Sequence, residues 1–473
     1  MIRSITIPDR DDRSLRPGVL YIALLVVGIF LPGCQIDFGL MRRDHVEKFP
    51  SELSRKTLIA LPEGHPAGLA DCVRIALDNN LDIHTALINR RLAGLDRKIA
   101  FSNFLPHIDA GITYTSADRQ QAIKAGPGYS PMSDKSIIRS AVSAQQAIFA
   151  PETWFLYEAF KKGEGISELV ARRTLDLIRL QVTSLYFACL SQEKSSMVIA
   201  QSLAQARAGL KELEALYREG LVMASQVEQI KTIVLAQETS LAEIGRLQAE
   251  TKSELLRAMG LSPMGNIELK AETPLVVQVQ ELPDQILQAM LHRPELHIAD
   301  RAIEIRKDET RMAIAQFLPK ILGFGELGHS SNSFMKYSNT LTYGVSGVLS
   351  VFDGFANIFA YKAAKEREKQ SAIDREQSCM KIMVEVIRAR SQFEQSNDML
   401  EVANQEFIAS QVLLRETEAK WREGLLTTSE KLDAVTRRAS SRANVSIAEF
   451  RYQVAAATLL DVMGTSTEGN RSE

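Results

Sequence analysis

Aromatic side chains are scarce in this 473-residue chain, at 6%. From about residue 151 onward Ala, Leu, Glu, Arg and Gln dominate, a composition of long helices rather than of a compact α/β enzyme. Charge of one sign is missing as well. The net charge is −2, which supplies no basic field for DNA or RNA and excludes nucleic acid as a main partner. Apolar residues make up 45% and charged residues 24%, so the composition is not that of a disordered chain. Long hydrophobic runs are absent beyond residue 31: no later stretch approaches 18 consecutive apolar residues, and no helical membrane span is expected in the mature chain. A membrane protein built that way must use a closed barrel, because every backbone polar group in lipid needs a partner. Motifs for chemistry are lacking too. There is no Walker-type phosphate loop, no G-x-S-x-G and no paired CxxC. His292 and His297 are five apart, not the three or four that would put two ligands on one helix face. Gly323 to Gly328 fits G-x-G-x-x-G, but it falls where a strand is expected and no helix opens on its last glycine. The chain reads as a non-enzyme without cofactor or metal.

What is present begins with an export signal. Arg10, Arg13 and Arg16 precede an apolar run from Val19 to Leu31, which is too short to span a bilayer comfortably as a helix of ~20 residues. The run ends at Leu31-Pro32-Gly33-Cys34, which resembles a lipobox with Pro32 out of pattern. Cys34 is therefore the expected lipidation site, residues 1–33 the signal peptide and 34–67 a lipidated, extended linker. Gln35 follows rather than Asp, which by resemblance to enteric lipoproteins permits passage to the outer membrane. Buried acyl chains contribute ~0.8 kcal/mol per CH₂, enough for several to hold an N-terminus at a membrane. The other cysteines, Cys72, Cys189 and Cys379, are odd in number and widely spaced, which implies no disulfide framework. Cys189, inside the apolar stretch Leu185 to Leu190, reads as a small buried hydrophobe.

The chain repeats itself. Ala76-Leu77-Asp78-Asn79-Asn80-Leu81 pairs with Ala289-Met290-Leu291-His292-Arg293-Pro294, and Phe104-Leu105-Pro106 with Phe317-Leu318-Pro319, both 213 residues apart. Later, Tyr217-Arg218-Glu219-Gly220-Leu221 pairs with Trp421-Arg422-Glu423-Gly424-Leu425, and Met259-Gly260 with Met463-Gly464, both 204 apart. The second copy is therefore nine residues shorter between these landmarks, a loss best taken from a loop.

Each copy opens with a helix, from about residue 68 to 103 and from about 282 to 316, stopped by Pro106 and Pro319. Strands follow at about 107–116 and 136–149 in the first copy, and at about 320–329 and 339–352 in the second. Ile108, Ala110, Ile112 and Tyr114 alternate with Asp109, Gly111 and Thr113; Leu341, Tyr343, Val345, Leu349 and Val351 alternate with small or polar residues. Such period-2 segments suit barrel strands between lipid and lumen. Four strands cannot close a useful barrel, so copies must share one. A long helical stretch without proline follows, from about residue 153 to 218, or ~100 Å. Leu203, Ala206, Leu210, Leu213 and Tyr217 are spaced 3-4-3-4, and Leu400, Phe407, Leu414 and Trp421 strictly by seven. This is coiled-coil periodicity. It resumes after Gly220 and again after Gly424, making helical hairpins with tips at about 220–225 and 424–429. The division is thus a first repeat over 68–267, a linker at 268–280, a second repeat over 281–464 and a tail at 465–473.

Helix, two strands and a long helical hairpin, twice over, resembles the TolC family of outer-membrane efflux proteins. The likeness rests on the Ala-Leu-x-x-Asn opening, the Leu-Pro helix stop, Phe149 and Phe352-Asp353-Gly354 before the long helices, and the Gly-Leu tips. The resemblance implies a mainly α fold with a β-barrel portion: a homotrimer with a twelve-stranded barrel and an α-helical tunnel. It implies a passive conduit for tripartite efflux or type I secretion, anchored in outer-membrane lipid and docked to a periplasmic adaptor and an inner-membrane pump. Gly220, Leu221, Val222 and Ser225, with Gly424, Leu425 and Ser429, match the family's docking tips. Glu430 and Asp433 match the acidic constriction of the tunnel entrance, where threefold rings of carboxylates would favour cations. The family often has Arg two residues after the second tip glycine; here it is Leu426. The alternative reading is a soluble periplasmic coiled-coil scaffold or adaptor.

Overall fold

The computed structural model describes residues 38–62, 64–271 and 280–465. The signal segment, Cys34, most of the 268–280 linker and nearly all of the tail lie outside the described residues. Nine helices and six strands are described: α1 (Phe38–Ala60), α2 (Leu69–Asn79), α3 (Leu81–Ser102), β1 (His107–Ser116), β2 (Ala122–Ala125), β3 (Gly128–Pro131), β4 (Ser136–Phe149), α4 (Pro151–Arg218), α5 (Ala224–Ala258), α6 (Leu282–His292), α7 (Pro294–Ala315), β5 (Lys320–Ser330), β6 (Asn339–Val348), α8 (Ala356–Arg422) and α9 (Thr428–Val462).

β1, β4, β5 and β6 form one antiparallel sheet in the order β1-β4-β5-β6. Its register sorts the side chains onto two faces. Ala110, Val142, Leu327 and Leu341 lie opposite one another in one row, and Ile108, Ala144, Gly325 and Tyr343 in the next row of that face. The rows between them are Asp109-Ser143-Glu326-Thr342 and Gly111-Ala141-Gly328-Thr340. One face is therefore apolar and the other small and polar. Ile112 and Tyr343, on the apolar face, are 80% and 79% exposed. The polar face holds a groove of about 490 Å³ lined by Asp109, Thr113, Arg139, Ser143 and Glu326. The G-x-G-x-x-G glycines sit inside β5, paired on both sides, not at a helix start. β6 ends at Val348, so Leu349 and Val351 lie beyond the strand expected to hold them.

Below the sheet the long helices form a single layer. Near the sheet α3 packs on α4, α4 on α7 and α7 on α8; farther away α5 packs on α4, α4 on α9 and α9 on α8. The layer has two free edges, α3 with α5 on one side and α8 on the other. The main core lies midway along α4, where Ile178, Val182, Tyr186 and Phe187 meet Cys72, Ile75, Ile83, Leu255, Leu256 and Met259.

Two further expectations need correction. The helices expected to run unbroken from 68 and from 282 are each split, at Asn80 and at Arg293, both in extended backbone. The Asn80 side chain accepts from the N–H groups of Asp82 and Ile83, starting a new helix, and its Nδ2 donates to the Ala258 carbonyl at 2.7 Å. In the second copy Pro294 restricts Arg293 to extended backbone and lacks the N–H that would continue the helix. The segment at 34–67, expected to be extended, holds α1, whose foot is fixed where Thr57 Oγ1 accepts from Ser262 N–H at 2.8 Å. The loop between β1 and β4 carries a hairpin of its own, β2–β3. The second copy lacks this hairpin. β1 and β5 start 213 residues apart, whereas β4 and β6 start 203 apart, so the shortening of the second repeat is taken in this loop. The two outer loops are joined by Asp134, which accepts from Ser333 Oγ at 2.9 Å, and by the Asp134 N–H, which donates to Asn332.

Candidate functional site: the paired hairpin tips

The tips are built from helix ends. α4 ends in a Schellman motif: Leu221 N–H donates to the Leu216 carbonyl and Gly220 N–H to that of Tyr217. α8 ends the same way, with Leu425 N–H on Lys420 and Gly424 N–H on Trp421. The motif needs a left-handed residue at its turn, and Gly220 and Gly424 supply it with φ of 75° and 74°. Behind the first tip Leu203, Ala206, Leu213, Val227, Ile230 and Val234 form a seam between α4 and α5. Leu432 of α9 enters this cluster over Gly209, where an added Cβ would stand 2.9 Å from its Cδ1. Gly209 thus lets α9 approach α4 closely and sets the two hairpins side by side with their tips at the same end.

The tips differ in how they are closed. At the second, Thr427 caps α9: its hydroxyl accepts from Glu430 N–H at 3.2 Å, and the Glu430 carboxylate accepts from Thr427 N–H at 2.7 Å. This is a capping box. The hydrogen bonds from the Thr427 N–H and hydroxyl hold Glu430 below the ordinary carboxylate value. Trp421 reaches across the turn, its Nε1 donating to Thr428 Oγ1 at 3.3 Å, and Lys431 Nζ stands 3.4 Å from the centre of its ring. At the first tip Met223 takes the capping position without a hydroxyl; only Gln226 reaches back, to the Met223 N–H at 3.2 Å.

Of the residues singled out in the sequence, Gly220, Leu221, Ser225, Gly424 and Leu425 are exposed at the tips. Val222 is half-buried against the α4–α5 seam, and Ser429 is buried. Glu430 and Asp433 are both exposed on α9, but Glu430 is engaged by its cap. Sequence reasoning missed the roles of Thr427, Trp421, Gly209 and Leu432 in closing and aligning the tips. The Thr427-x-x-Glu430 spacing is itself the capping-box signature and could have been read. The Gly209–Leu432 approach joins residues more than 200 apart and leaves no local signal.

A second cluster of polar residues lies at mid-height. Arg173 bridges Asp461 at 2.8 Å and Glu295 at 2.9 Å, while Arg293 pairs with Glu295 at 2.7 Å and also with Glu385. These five groups tie α4, α7, α8 and α9 together. Nearby, Cys72 and Cys189 are buried in the main core without a disulfide; burial pushes the Cys189 thiol up to about 12, so it is unreactive. Among the described residues no helix is long and apolar enough to cross a membrane.

The profile of the family described as outer membrane efflux protein matches residues 285–465. The pyoverdine export outer membrane protein OpmQ of Pseudomonas putida is 21% identical over 405 residues, covering 82% of this chain and 84% of its own. Among solved structures, a membrane protein from Pseudomonas aeruginosa superimposes with a TM-score of 0.73 at 18% identity, over 85% of this chain and 92% of that one. The outer membrane protein VceC from Vibrio cholerae does so with a TM-score of 0.70 at 15% identity, over 84% and 96%. Residues 285–465 thus match the outer membrane efflux protein family, and the four-stranded sheet with its paired hairpins shares the fold of these solved structures.

Proposed function

We propose that three copies of this chain close into a passive channel from the periplasm to the exterior. The observation that carries this reading is the pair of unfinished edges. The sheet ends in β1 and β6, and an open edge must be paired or covered. On one helical edge, Leu81, Ile88, Leu92, Leu95 and Ile99 form an exposed row along α3 with seven-residue periodicity. On the other, Phe359, Ile373, Met380, Val384 and Ile387 form an exposed row along α8. Joining the α3 edge of one copy to the α8 edge of the next buries the α3 row against the upper part of the α8 row, Phe359 and Ile373, as a coiled-coil seam. Half-exposed at the outset, each side chain gains ~1 kcal/mol. Seven of them per seam supply ~7 kcal/mol, comparable with an association cost of roughly 4–15 kcal/mol, and the pairing of the sheet edges adds to it. The same closure pairs β1 with β6 and makes a barrel of twelve strands, within the range in which membrane barrels occur. Its apolar face turns to lipid and the Asp109–Glu326 rows to the lumen. The exposed apolar face of the sheet favours this reading over a soluble scaffold.

The tips dock to a periplasmic adaptor that joins an inner-membrane pump, with Leu221, Met223 and Leu425 as the exposed apolar contacts. Asp433, with Glu430, rings the periplasmic entrance. Cys34 carries the lipid. The pump supplies energy and selects the substrate; the channel's own contribution is a continuous lumen. The deciding measurement is the mass of the species extracted by detergent from outer membranes. About three chain masses, with single-channel conductance, is the expected result. A monomer in the periplasmic fraction would overturn the reading.

A further inference from the structure

α1 is a helix without a bed. Every described side chain from Phe38 to Glu52 is exposed, and no other helix or strand among the described residues packs along it. Pro50 lies inside the helix, where it lacks the N–H for a helical bond. Most of the stability of a helix in a protein comes from packing of one face. Its sequence marks that face. Phe38, Met41, His45, Phe49, Leu53, Thr57 and Ala60 follow one another at steps of three and four, a single stripe. The lower end of the stripe is seated on its own chain: Leu53 is half-buried, Thr57 is buried, and Ala60 packs on the main core. The upper end, with His45 and Phe49 stacked at 5.3 Å between ring centres, continues the same face into solvent.

The position of the foot decides what covers the rest. Thr57 rests on the loop that follows α5, beside Gly265 and Leu256. The hydrogen bond between Gln192 and Thr251 sets the register of α4 and α5 and puts Leu256 level with about residue 187 of α4. α4 starts directly after β4 at Pro151, so this level is ~50 Å below the sheet at 1.5 Å per residue. Phe49 is two turns from Thr57 and can rise at most ~12 Å above it. It stays ~40 Å beneath the sheet, out of reach of lipid. The loop under Thr57 belongs to the α3–α5 edge, the edge that meets the next copy.

We infer that α1 straps the seam between neighbouring copies, laying Phe38, Met41, His45 and Phe49 on α8 of the next copy around Met380, Val384 and Ile387. These three are exposed, and the 204-residue offset between the repeats puts them at the height of Phe49. This inference rests on the closed ring of three proposed above. The occupant of the stripe is a second copy of this chain, and the strap gives each copy a hold on its neighbour outside the coiled-coil seam.

Photo-crosslinking of the full chain in outer membranes tests it, with Phe49→benzoylphenylalanine on the stripe and Glu47→benzoylphenylalanine on the opposite face. Two differently tagged copies are co-expressed, and the size of the detergent-extracted species is measured in parallel. The expected result is an adduct between the two tags, several-fold stronger from position 49 than from 47, with the linked peptide drawn from residues 380–387. A trimer whose position-49 adduct is internal, is to phospholipid or is missing would overturn the strap and leave the ring standing. A monomer would overturn both.

Discussion

At the scale of single residues, the two repeats solve one problem with different chemistry. Asn80 and Arg293 are equivalent positions, 213 residues apart, and each starts a new helix from extended backbone. Asn80 does so with neutral hydrogen bonds, whereas Arg293 heads an ionic cluster with Glu295, Glu385, Arg173 and Asp461. Losing one partner of a well-buried pair costs about 3–5 kcal/mol. Asp461 is buried, but Arg173 keeps some solvent, so we expect Asp461→Asn to cost about 2 kcal/mol after that discount. Chemical denaturation checks it. Burial alone would push the Glu295 carboxyl up, but the hydrogen bonds and charge of Arg293, with Arg173 behind, outweigh it and hold the group below its ordinary 4.5. A proton then binds the folded chain more weakly than the unfolded one. The stabilisation is complete above pH 4.5 and drains away as pH falls through the lower, folded value. Asp176 has the opposite sign. Burial outweighs Arg179 and raises it above 3.8, so its contribution is present below that value and fades as pH rises through the folded one. Arg293→Gln should therefore flatten the acid limb of a plot of thermal midpoint against pH. A variant as acid-sensitive as the parent would show that Glu295 is not the titrating group.

At the scale of elements, the long helices were legible because their periodicity is local and strong. Leu203, Ala206 and Leu213 face a seam the spacing alone implied, and Leu400, Phe407 and Leu414, seven apart, all turn inward. The helix breaks were not legible. Asn80 reads as one more polar residue in an amphipathic run, and only Ala258, 178 residues away, gives its Nδ2 a partner. α1 escaped notice because, among the described residues, nothing within one chain covers most of its stripe. The tips were legible as turns, from Gly220 and Gly424, but not as unequal turns. Ser429 looked like a surface tip residue, yet the Thr427 cap turns it inward. This inequality leads to a prediction. Gly424→Ala forces a Cβ into left-handed backbone, at ~1 kcal/mol, and should loosen the second turn without unfolding the hairpin. Thr427→Ala removes the cap, and amide exchange should quicken at Ser429 to Lys431. At the first tip, which lacks a hydroxyl cap, Met223→Thr should slow exchange at the start of α5. If Thr427→Ala leaves exchange unchanged, the cap does not hold the tip.

At the scale of the whole molecule, the seam and the entrance ring are separable. Leu95→Glu puts a charge in the middle of the exposed α3 row while touching no core of its own chain. Folding of the chain should survive and the trimer should not, which sedimentation in detergent resolves; an intact trimer would remove α3 from the interface. The entrance ring follows from the tips. Glu430 spends its carboxylate on Thr427, while Asp433 stands one turn farther along α9, exposed and without such a cap. A carboxylate engaged by an N–H and a hydroxyl projects less field into a lumen than one that meets only water, so the two should differ in weight. We expect Asp433→Asn to lower the cation preference measured from reversal potentials in planar bilayers more than Glu430→Gln does. Glu430→Gln should instead show itself as faster amide exchange at the start of α9. The reverse ranking would mean that the cap opens in the assembled channel and frees Glu430 to face the lumen. Equal indifference of selectivity to both substitutions would remove the ring from the entrance altogether, leaving the charged rows of the sheet, Asp109 and Glu326, as the remaining source of any ion preference.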